Sequence, residues 1–386
     1  MHIVFFDSTP SALLPFSLLK PSWEVPLGGI TLRAWATQSF PSASIEFQYG
    51  GFQDIKITHT PLLAFSGIIL PTPAFFSSLT RRISEGHNFE IRHGGEVVVA
   101  YYQSNDKADT AVISVDQLGD ALSMLKGPWD IIRSLPTTLA LALAMRPQGL
   151  REVRPGVYAG ADVELPPSVI TKTAQGAIMI GEGTSFGEYA VLRGPLVFGT
   201  RCKIRDHAVI ESSAFGDVCK VGGEIESCVF DSYSNKQHHG YFGHTMVGSW
   251  VNIGAGACTS DLKHTYGSVR VDRGFGKEET DLQFCGSFIG ESSRVAINAS
   301  LMTGTVLGVN VFAFGTVRGY IPSFSSTVPG GLTEVPFDVA WRSRDRAMQR
   351  RALTPSPQDR DRYAALFEKT GVEREKRNVH HGVPKV

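Results

Sequence analysis

Apolar residues recur at every sixth position through much of the second part of the chain. The first series consists of Ile180, Phe186, Leu192, Phe198, Ile204 and Ile210. The spacing returns in two later series, Tyr241, Val247 and Ile253, and then Ile289, Val295, Leu301 and Leu307. Positions six residues apart do not stay on one side of an α-helix with 3.6 residues per turn. A six-residue period with frequent glycines is instead typical of a parallel β-helix.

This period predicts the architecture of residues 155–325. Each short strand sends one apolar side chain inward, and three such strands, about 18 residues, make one triangular coil. The stretch is therefore expected to form roughly seven to nine coils around a continuous apolar core. Residues 261–284 break the period with a mixture of charge, glycine and aromatics. We expect this segment to leave the prism as a loop, where function is often carried.

Residues 1–150 show a different pattern, in which strand-like and helix-like segments alternate. Residues 2–6 and 62–70 are apolar runs that predict strands, and Pro73 suits the first turn of a helix reaching about residue 84. The segments on either side of His93-Gly94-Gly95 predict a β-hairpin. Residues 115–125 and 129–135 are expected to be helical. The alternation favours an α/β domain.

The last segment, residues 330–386, is charged and helix-like. A β-helix has two open ends, and each exposes unpaired backbone groups and core side chains unless another element covers it. We therefore expect this helical tail to cap one end of the β-helix.

Composition narrows the class of protein. Hydrophobic residues make up 42% of the chain, charged residues 19%, and the formal net charge is zero. This balance gives no electrostatic reason to expect nucleic acid or an anionic membrane as a partner. Residues 135–145 are too few to span a bilayer, and the first residues do not resemble a secretory signal. The five cysteines show no CxxC spacing, as expected for reduced thiols in a cytoplasmic protein.

Residues 235–256, which read NKQHHGYFGHTMVGSWVNIGAG, combine histidines with the six-residue period. They contain His238, His239 and His244, and His264 follows shortly afterwards. A histidine titrates near neutral pH and can take a proton from an amine or hydroxyl that attacks an acyl carbonyl. Two alternatives stay open: a metal site, although the spacings match neither zinc fingers nor HExxH, and exposed histidines without a role. We predict a general base and no metal.

Three basic residues are candidates for holding an anionic substrate. Arg193 lies in the turn VLRGP and could bind a phosphate through both ends of its guanidinium, or be a surface arginine. The turn after the first strand contains neither GxGxxG nor GxxxxGK[ST]. In that region Lys20, Arg33 and Asp7 could contact a nucleotide or a metal, or be solvated surface.

The run HHGYFGHTMVGSWVNIGAG resembles the left-handed β-helix acetyltransferase domain of the GlmU family, the bifunctional UDP-N-acetylglucosamine pyrophosphorylases/glucosamine-1-phosphate N-acetyltransferases. The resemblance covers roughly residues 1–325 and is most specific between residues 222 and 310. The whole chain is more similar to a divergent branch of that family, whose members are described as sugar nucleotidyltransferases fused to a hexapeptide acyltransferase. The resemblance implies an α/β nucleotidyltransferase-like domain, a left-handed parallel β-helix with hexapeptide repeats, and a C-terminal helical tail.

The resemblance also implies roles for particular residues. Counting back from NIGAG places His238 at the family's general base and Tyr241 at its substrate-binding tyrosine, and Arg193 matches a phosphate-binding arginine. Ala255, Gly256 and Ala313 are implied to line the channel for acetyl-CoA (or another acyl-CoA). The implied reaction is acyl transfer to a sugar phosphate or nucleotide sugar by a cytoplasmic homotrimer.

The sequence departs from the family pattern in ways that leave alternatives open. The glycine-rich loop of the pyrophosphorylase is absent, and the run GIILPTP stands where the family has its metal-binding aspartate. His244 replaces an aspartate of the family and is a second catalytic candidate, and Asp261-Leu262-Lys263 replaces an Asn-Tyr-Asp step. A Mg²⁺-dependent sugar-1-phosphate nucleotidyltransferase whose β-helix serves trimerisation is one alternative. A non-catalytic scaffold that binds sugar nucleotides is another.

Overall fold

The computed structural model describes residues 1–7, 9–106 and 109–381. The chain divides into two compact units, Met1–Ile131 and Ile132–Val386. The sequence-based boundaries, 1–150, 155–325 and 330–386, stay predictions. The structural division falls before residue 150 because the helix Leu135–Ala144 contacts the strand Leu196–Phe198 in the second unit.

The first unit is built on a mixed six-stranded sheet with the strand order β2-β1-β3-β6-β5-β7. Strand β1 pairs in parallel with β2 and β3, whereas β6 runs antiparallel to β3 and β5. The strands are β1 (His2–Phe6), β2 (Ser44–Gln48), β3 (Leu62–Ser66), β4 (Ile69–Leu70), β5 (Phe89–His93), β6 (Glu96–Tyr102), β7 (Ala111–Ser114) and β8 (Ser123–Met124). The α/β expectation for this part of the chain is confirmed.

The helices before the solenoid are α1 (Leu32–Ser39), α2 (Pro73–Glu85), α3 (Trp129–Arg133) and α4 (Leu135–Ala144). The predicted helix from Pro73 is α2, which begins where the Thr72 hydroxyl accepts the Phe75 N–H at 3.0 Å. The predicted helix over residues 115–125 was wrong. That stretch is a 3₁₀ segment, Val115–Ala121, followed by β8, because Gly119 takes a non-helical φ of 53° in its middle.

The second unit is a parallel β-solenoid with three faces, the architecture of a left-handed β-helix, as predicted. The first face contains Val157–Ala159, Ile178–Ile180, Leu196–Phe198, Ala214–Phe215, Val229–Phe230, Met246–Val247, Phe288–Ile289, Val306–Leu307 and Tyr320–Ile321, with Arg151–Arg154 antiparallel at its edge. The second face contains Ser185–Phe186, Lys203–Ile204, Lys220–Val221, Asn235–Lys236, Asn252–Ile253, Arg294–Val295, Phe312–Ala313 and Ser325–Val328, with Gly331–Glu334 antiparallel at its edge. The third face contains Ile170–Lys172, Val191–Arg193, Val209–Glu211, Glu224–Glu226, Tyr241–Gly243, Cys258–Thr259, Ser300–Leu301 and Thr316–Val317.

The inward positions of the three faces form one continuous core, as the six-residue period predicts. Two positions differ from the simple pattern. On the strand Tyr241–Gly243 the inward residue is Phe242, which is fully buried, whereas Tyr241 lies outward and half-buried. On the second face, Lys236 pairs in register with Val221 and is only 1% exposed. A lysine thus occupies a position that an aliphatic residue fills in the neighbouring coil.

Residues 261–284 leave the coil as predicted and contain a small antiparallel hairpin, Arg270–Asp272 with Lys277–Glu279. The coils resume in register on the other side of this insertion. Asn252 pairs with Arg294, and Cys258 pairs with Ser300. The insertion therefore adds a lobe to one side of the solenoid and does not interrupt the stacking.

The C-terminal segment forms three helices, α5 (Phe337–Gln349), α6 (Pro357–Lys369) and α7 (Gly371–Lys376). Tyr363 and Phe367 of α6 pack edge-on against Phe324, with ring centroids 5.2 and 5.1 Å apart. Because Phe324 follows the last first-face strand, α6 lies over the C-terminal end of the coils, as expected for a cap. Helix α5 instead lies along the second face. None of the helices in the described ranges is long and apolar enough to cross a bilayer.

Candidate functional site

A buried carboxylate organises one corner of the solenoid. Oδ2 of Asp261 accepts a hydrogen bond from the Tyr241 hydroxyl at 2.9 Å and lies 2.8 Å from Nδ1 of His244. The residue is 8% exposed. The same tyrosine oxygen lies 3.4 Å from Oε2 of Glu226. Two carboxylates, a phenol and an imidazole therefore meet within hydrogen-bonding distance.

The stacking of coils explains why residues so far apart in sequence meet here. The strands Glu224–Glu226 and Tyr241–Gly243 pair in register on the third face, and Asp261 follows the next strand of the same face. Successive coils lie one strand spacing apart, about 4.8 Å. Side chains that leave the same face in adjacent coils consequently come within reach of one another.

The backbone at His244 fixes the direction of its side chain. His244 has a φ of 47°, in the left-handed region that only a minority of non-glycine residues adopt. Its N–H donates to the Glu226 carbonyl at 3.0 Å, and its own carbonyl accepts the Gly286 N–H at 2.9 Å. The residue is thereby held between the preceding coil and the first residues after the insertion.

The electrostatics of the corner favour an ionised Asp261 and a protonated Tyr241. Burial alone would raise the pKa of Asp261, but hydrogen bonds from His244 and Tyr241, together with the charge of His244, hold that pKa below its ordinary value. Burial, the hydrogen bond to Asp261 and the nearby carboxylates raise the pKa of Tyr241 well above its ordinary value. A carboxylate that accepts the Nδ1–H of a histidine sets its tautomer and leaves Nε2 free to accept a proton.

His244 opens onto a cavity of about 770 Å³. One wall comes from α4 and the neighbouring coils, and the other from the end of the insertion. The apolar lining consists of Ile132, Leu135, Pro136, Ala140, Leu143, Ala177, Pro195, Leu282 and Phe284. The Phe284 ring stacks on the His244 imidazole with centroids 5.3 Å apart. Ser212 and Ser227 add hydroxyls to the lining near the histidine. Arg133, Gln175, Asp281 and Gln283 also line the cavity, which therefore combines an apolar wall with several polar groups.

His238 lies outside the hydrogen-bonded corner. Its side chain is exposed, as is that of His239, and within the described ranges its imidazole makes no hydrogen bond or ion pair. Its backbone is fixed from inside the solenoid, because Nζ of Lys236 donates to the His238 carbonyl at 2.5 Å and to the Gly222 carbonyl at 3.2 Å. The structure thus brings together Tyr241 and His244 of the predicted residues, but not His238.

The remaining predicted residues of the second unit lie apart from Asp261. Arg193 is half-exposed on the third face and lies 3.6 Å from Oε2 of Glu211, its partner in the next coil. Gly256 has a φ of 73°, and a Cβ there would meet the Asn298 side chain at 2.0 Å. Ala255 precedes it in the same turn, half-buried. Ala313 lies fully buried in the solenoid core. Their predicted roles stay predictions.

The predicted residues of the first unit lie near the carboxyl end of β1. Arg33 forms an ion pair with Glu24 at 2.5 Å, and Lys20 is half-buried. Asp7 follows β1 directly; its Oδ2 accepts the Ser22 N–H at 3.2 Å, while its Oδ1 is buried without a hydrogen-bond partner. Burial raises the pKa of Asp7, although the hydrogen bonds from Ser22 oppose that shift.

Three residues of the corner were missed by the sequence argument, Asp261, Glu226 and Phe284. Two features of the sequence pointed to Asp261. The chain has His244 where the resembled family has an aspartate, and an aspartate of its own, Asp261, follows shortly after the NIGAG run. Their pairing depends on coil register, which the sequence alone did not fix. Among the residues that the structure describes, no three histidine, cysteine or carboxylate side chains come together in a way that could hold a metal ion.

Comparison with known proteins gives one consistent result. The chain is 26% identical over 216 residues to the bifunctional protein GlmU of Cyanothece sp. (strain PCC 7425), a match that covers 55% of this chain and 37% of the relative. It is 27% identical over 187 residues to GlmU of Nostoc sp. (strain PCC 7120), covering 48% and 33%, and 28% identical over 212 residues to GlmU of Heliobacterium modesticaldum, covering 50% and 44%. No protein-family model matches the chain.

The chain thus spans less than half the length of the curated relatives it matches. The similarity is low but recurs in nine proteins. Over about half of its length, the chain is distantly similar to bifunctional GlmU proteins.

Proposed function

We propose that the second unit transfers an acyl group from an acyl-CoA to a hydroxyl or amine of a sugar phosphate or nucleotide sugar, with His244 as the general base. The observation that carries this proposal is the 2.8 Å contact between Asp261 and Nδ1 of His244, a residue that lines a cavity with an apolar wall. A buried carboxylate that orients a histidine is the arrangement that acyl-transfer enzymes use to activate a nucleophile.

In the proposed reaction, Nε2 of His244 accepts the proton of the acceptor hydroxyl or amine as that group attacks the acyl carbonyl. A new C–O or C–N bond forms, the C–S bond of the thioester breaks, and the proton returns to the departing thiolate. Asp261 stabilises the imidazolium that forms between these two steps. Tyr241 positions Asp261, since its hydroxyl stays protonated and donates to the carboxylate oxygen that also faces His244.

The acyl-CoA, when bound, would supply the acyl group as an activated thioester, and coenzyme A would leave as the thiol. The apolar wall that α4 and Phe284 build beside His244 fits such an acyl chain, and the serine hydroxyls near the histidine fit a sugar. Ala255, Gly256 and Ala313 stay the predicted contacts of the cofactor, and Arg193 and Tyr241 the predicted contacts of the acceptor. A homotrimer remains part of the proposal, to be checked by light scattering on the purified protein.

The test is thiol release from acetyl-CoA with a panel of amino sugars, sugar phosphates and nucleotide sugars. His244→Gln is expected to lower kcat by about 10²–10⁴-fold. His238→Gln, the alternative base predicted from the sequence, is expected to retain most of the kcat of the unmodified protein. If the His238 variant is inactive while His244→Gln turns over normally, the roles of the two histidines are reversed. If no acceptor supports turnover, a non-catalytic scaffold becomes the better description.

The buried and unpartnered Oδ1 of Asp7 favours a second candidate function, in the first unit. A buried carboxyl oxygen without a partner at the carboxyl end of a parallel strand is a feature of sites that bind Mg²⁺ and nucleotides. The first unit is therefore proposed as a nucleotidyltransferase acting on sugar 1-phosphates. Pyrophosphate release from UTP or dTTP in the presence of Mg²⁺ tests this, and both Lys20→Ala and Asp7→Asn are expected to abolish it. Unchanged release in both variants would contradict the assignment.

A further inference from the structure

A second cleft, of about 540 Å³, lies on the second face of the solenoid, beneath helix α5. Its lining contains five arginines and three aromatic rings, and among the lining residues in the described part of the chain there is no aspartate or glutamate. The arginines are Arg294, Arg342, Arg346, Arg350 and Arg351, and the rings are those of Tyr233, Trp250 and Phe312. The cleft shares no lining residue with the cavity at His244.

The floor of the cleft is a column of outward residues in consecutive coils. Asn235 pairs in register with Asn252, Asn252 with Arg294, and Arg294 with Phe312. Beyond Asn235, the same column continues as Lys220 and Lys203. The roof is α5, where Arg342 and Arg346, followed by Arg350 at the C-cap, recur at four-residue intervals, the spacing of one helix face.

The cations of the cleft have neutral acceptors and no carboxylate among the described lining residues. Arg294 donates to the carbonyls of Trp250, Ser292 and Ser293 at 2.6–3.1 Å. Burial is the largest cause that lowers the pKa of Lys220, and the positive charges of Arg351, Lys203, Arg350 and Arg205 lower it further. Like charges at four-residue spacing destabilise a helix, and cations favour its C-terminal end only within the last turn. The helix dipole accounts for Arg350 but not for Arg342, nor for the lysines of the facing column. An anion bound in the cleft would relieve this repulsion.

Two further features indicate what kind of anion this is. Nε of Arg351 is buried without a hydrogen-bond partner, although its guanidinium donates to Oδ1 of Asn235 at 2.9 Å. Such a donor is costly to bury unless a ligand satisfies it. The Tyr233 and Trp250 rings stack with centroids 4.3 Å apart and planes 3° from parallel. A flat aromatic platform beside arginines is suited to a nucleobase that carries phosphates.

We propose that the cleft beneath α5 binds a nucleotide carrying at least two phosphates, with the phosphates on the arginines of α5 and the base on the Trp250 platform. The cleft volume lies within the roughly 300–1,000 Å³ typical of small-molecule sites. The same chemistry is offered by free nucleoside diphosphates, by nucleotide sugars and by the 3′-phospho-ADP part of coenzyme A. The proposal stands on residues other than those of the proposed acyl-transfer site.

The experiment is isothermal titration calorimetry of the full chain with ADP, UDP, UDP-N-acetylglucosamine, coenzyme A and inorganic pyrophosphate. Arg346→Gln/Arg350→Gln is compared with Arg318→Gln/Arg362→Gln, a control that removes two exposed arginines outside the cleft and makes the same charge change. At least one nucleotide is expected to bind, and the α5 double variant is expected to weaken it roughly 10- to 100-fold. The control double variant should match the unmodified protein. The nucleotide that binds with the lowest Kd identifies which of these three classes of ligand the cleft takes.

Three results would overturn the proposal. One is that no nucleotide binds at millimolar concentration, and another is that both double variants weaken binding equally. The third is that pyrophosphate binds as tightly as every nucleotide, which would remove the base from the site. Trp250→Phe gives an independent readout, because quenching of tryptophan fluorescence by the bound nucleotide should shrink while its Kd changes little. A change of oligomeric mass in the α5 variant without nucleotide binding would instead make the cleft a contact between copies.

Discussion

The two clefts of the second unit use the same scaffold for opposite electrostatics. At the third face, two carboxylates, a tyrosine and His244 share a few hydrogen bonds, and each group has a partner. At the second face, five arginines line a cleft without a carboxylate in the described residues. In the first arrangement the polar groups are paired with one another, whereas the arginines of the second arrangement face no carboxylate among the described residues that line the cleft. The proposed catalytic corner and the proposed binding cleft therefore differ in whether their charged groups are paired within the protein, and not in the fold that carries them.

The largest effect is expected at the buried carboxylate. Asp261→Asn should lower kcat by about 10²–10⁴-fold, because the neutral amide neither fixes the His244 tautomer nor stabilises the imidazolium. The measurement is acyl-CoA turnover with the best acceptor of the panel, together with its pH profile. Glu226→Gln is the matched control, since Glu226 reaches only the tyrosine, and its effect should be much smaller. Equal losses in both variants would show that the corner acts through packing alone.

Lys236 is a cation in the solenoid core, and its effect on stability can be compared with that of an exposed lysine on the same face, Lys203. Burial lowers the pKa of Lys236 to about 8 from an ordinary value of 10.5. Between these pH values only the unfolded chain binds the proton, so the free energy of unfolding should rise with pH from about 8 to 10.5. The expected gain is roughly 3 kcal/mol. Lys236→Met should flatten this dependence in denaturant titrations, while Lys203→Met, with an exposed side chain, should not.

Ionic strength should separate the two clefts. Charges in the α5 cleft are partly exposed and are screened by salt, with a Debye length of about 10 Å at 0.1 M and 3 Å at 1 M. Nucleotide affinity at that cleft is therefore expected to fall at least about fivefold between 50 and 500 mM NaCl, as followed by calorimetry. The kcat of acyl transfer depends on buried partners and should change by less than about twofold. A salt-independent Kd would argue against the arginines as the phosphate contacts.

The smallest expected effect concerns the wall of the cavity at His244. Phe284→Ala removes the ring that stacks on the imidazole and should lower kcat/KM roughly three- to tenfold. Because Phe284 is 43% exposed, the melting temperature should change little. Phe275→Ala, a more exposed aromatic of the same insertion, is the control and should leave kcat/KM unchanged. A large fall in melting temperature for the Phe284 variant would make its role structural.

The solenoid was predictable from the sequence because its inward residues are apolar and recur at nearly every sixth position. Residues such as Ile180, Leu192 and Leu307 are inward and fully buried, as the six-residue spacing requires. The prediction failed locally at Tyr241, because the turn after this strand is one residue short. The inward residues Lys236 and Phe242 are six positions apart, whereas Phe242 and Val247 are only five apart. One residue of slip moves a side chain from the core to the surface.

The candidate site was only half predictable for a related reason. The sequence identified His244 and Tyr241 as members of a histidine-rich run, but their partner Asp261 lies one coil away. Proximity across coils depends on the exact number of residues in each turn. The position of α5 along the second face was also not predicted, because the helix residues that line the cleft between its arginines, Val339, Ser343 and Ala347, do not form a continuous apolar stripe. These residues do not indicate whether the helix covers the end of the coils or lies along one face of the solenoid.

The insertion between Thr259 and Cys285 leaves and re-enters the coil at neighbouring strands, since Cys258 pairs with Ser300 and Met246 with Phe288. The ends of the excursion are held by the scaffold, and the entropy of closing a loop grows only with the logarithm of its length, about 0.6 kcal/mol per doubling. The exposed parts of the insertion can therefore change in length at little thermodynamic cost, whereas its buried residues Val269, Val271 and Thr280 hold it on the solenoid. Under the proposed function, this lobe is the part beside His244 that can vary while the coils beneath it stay unaltered.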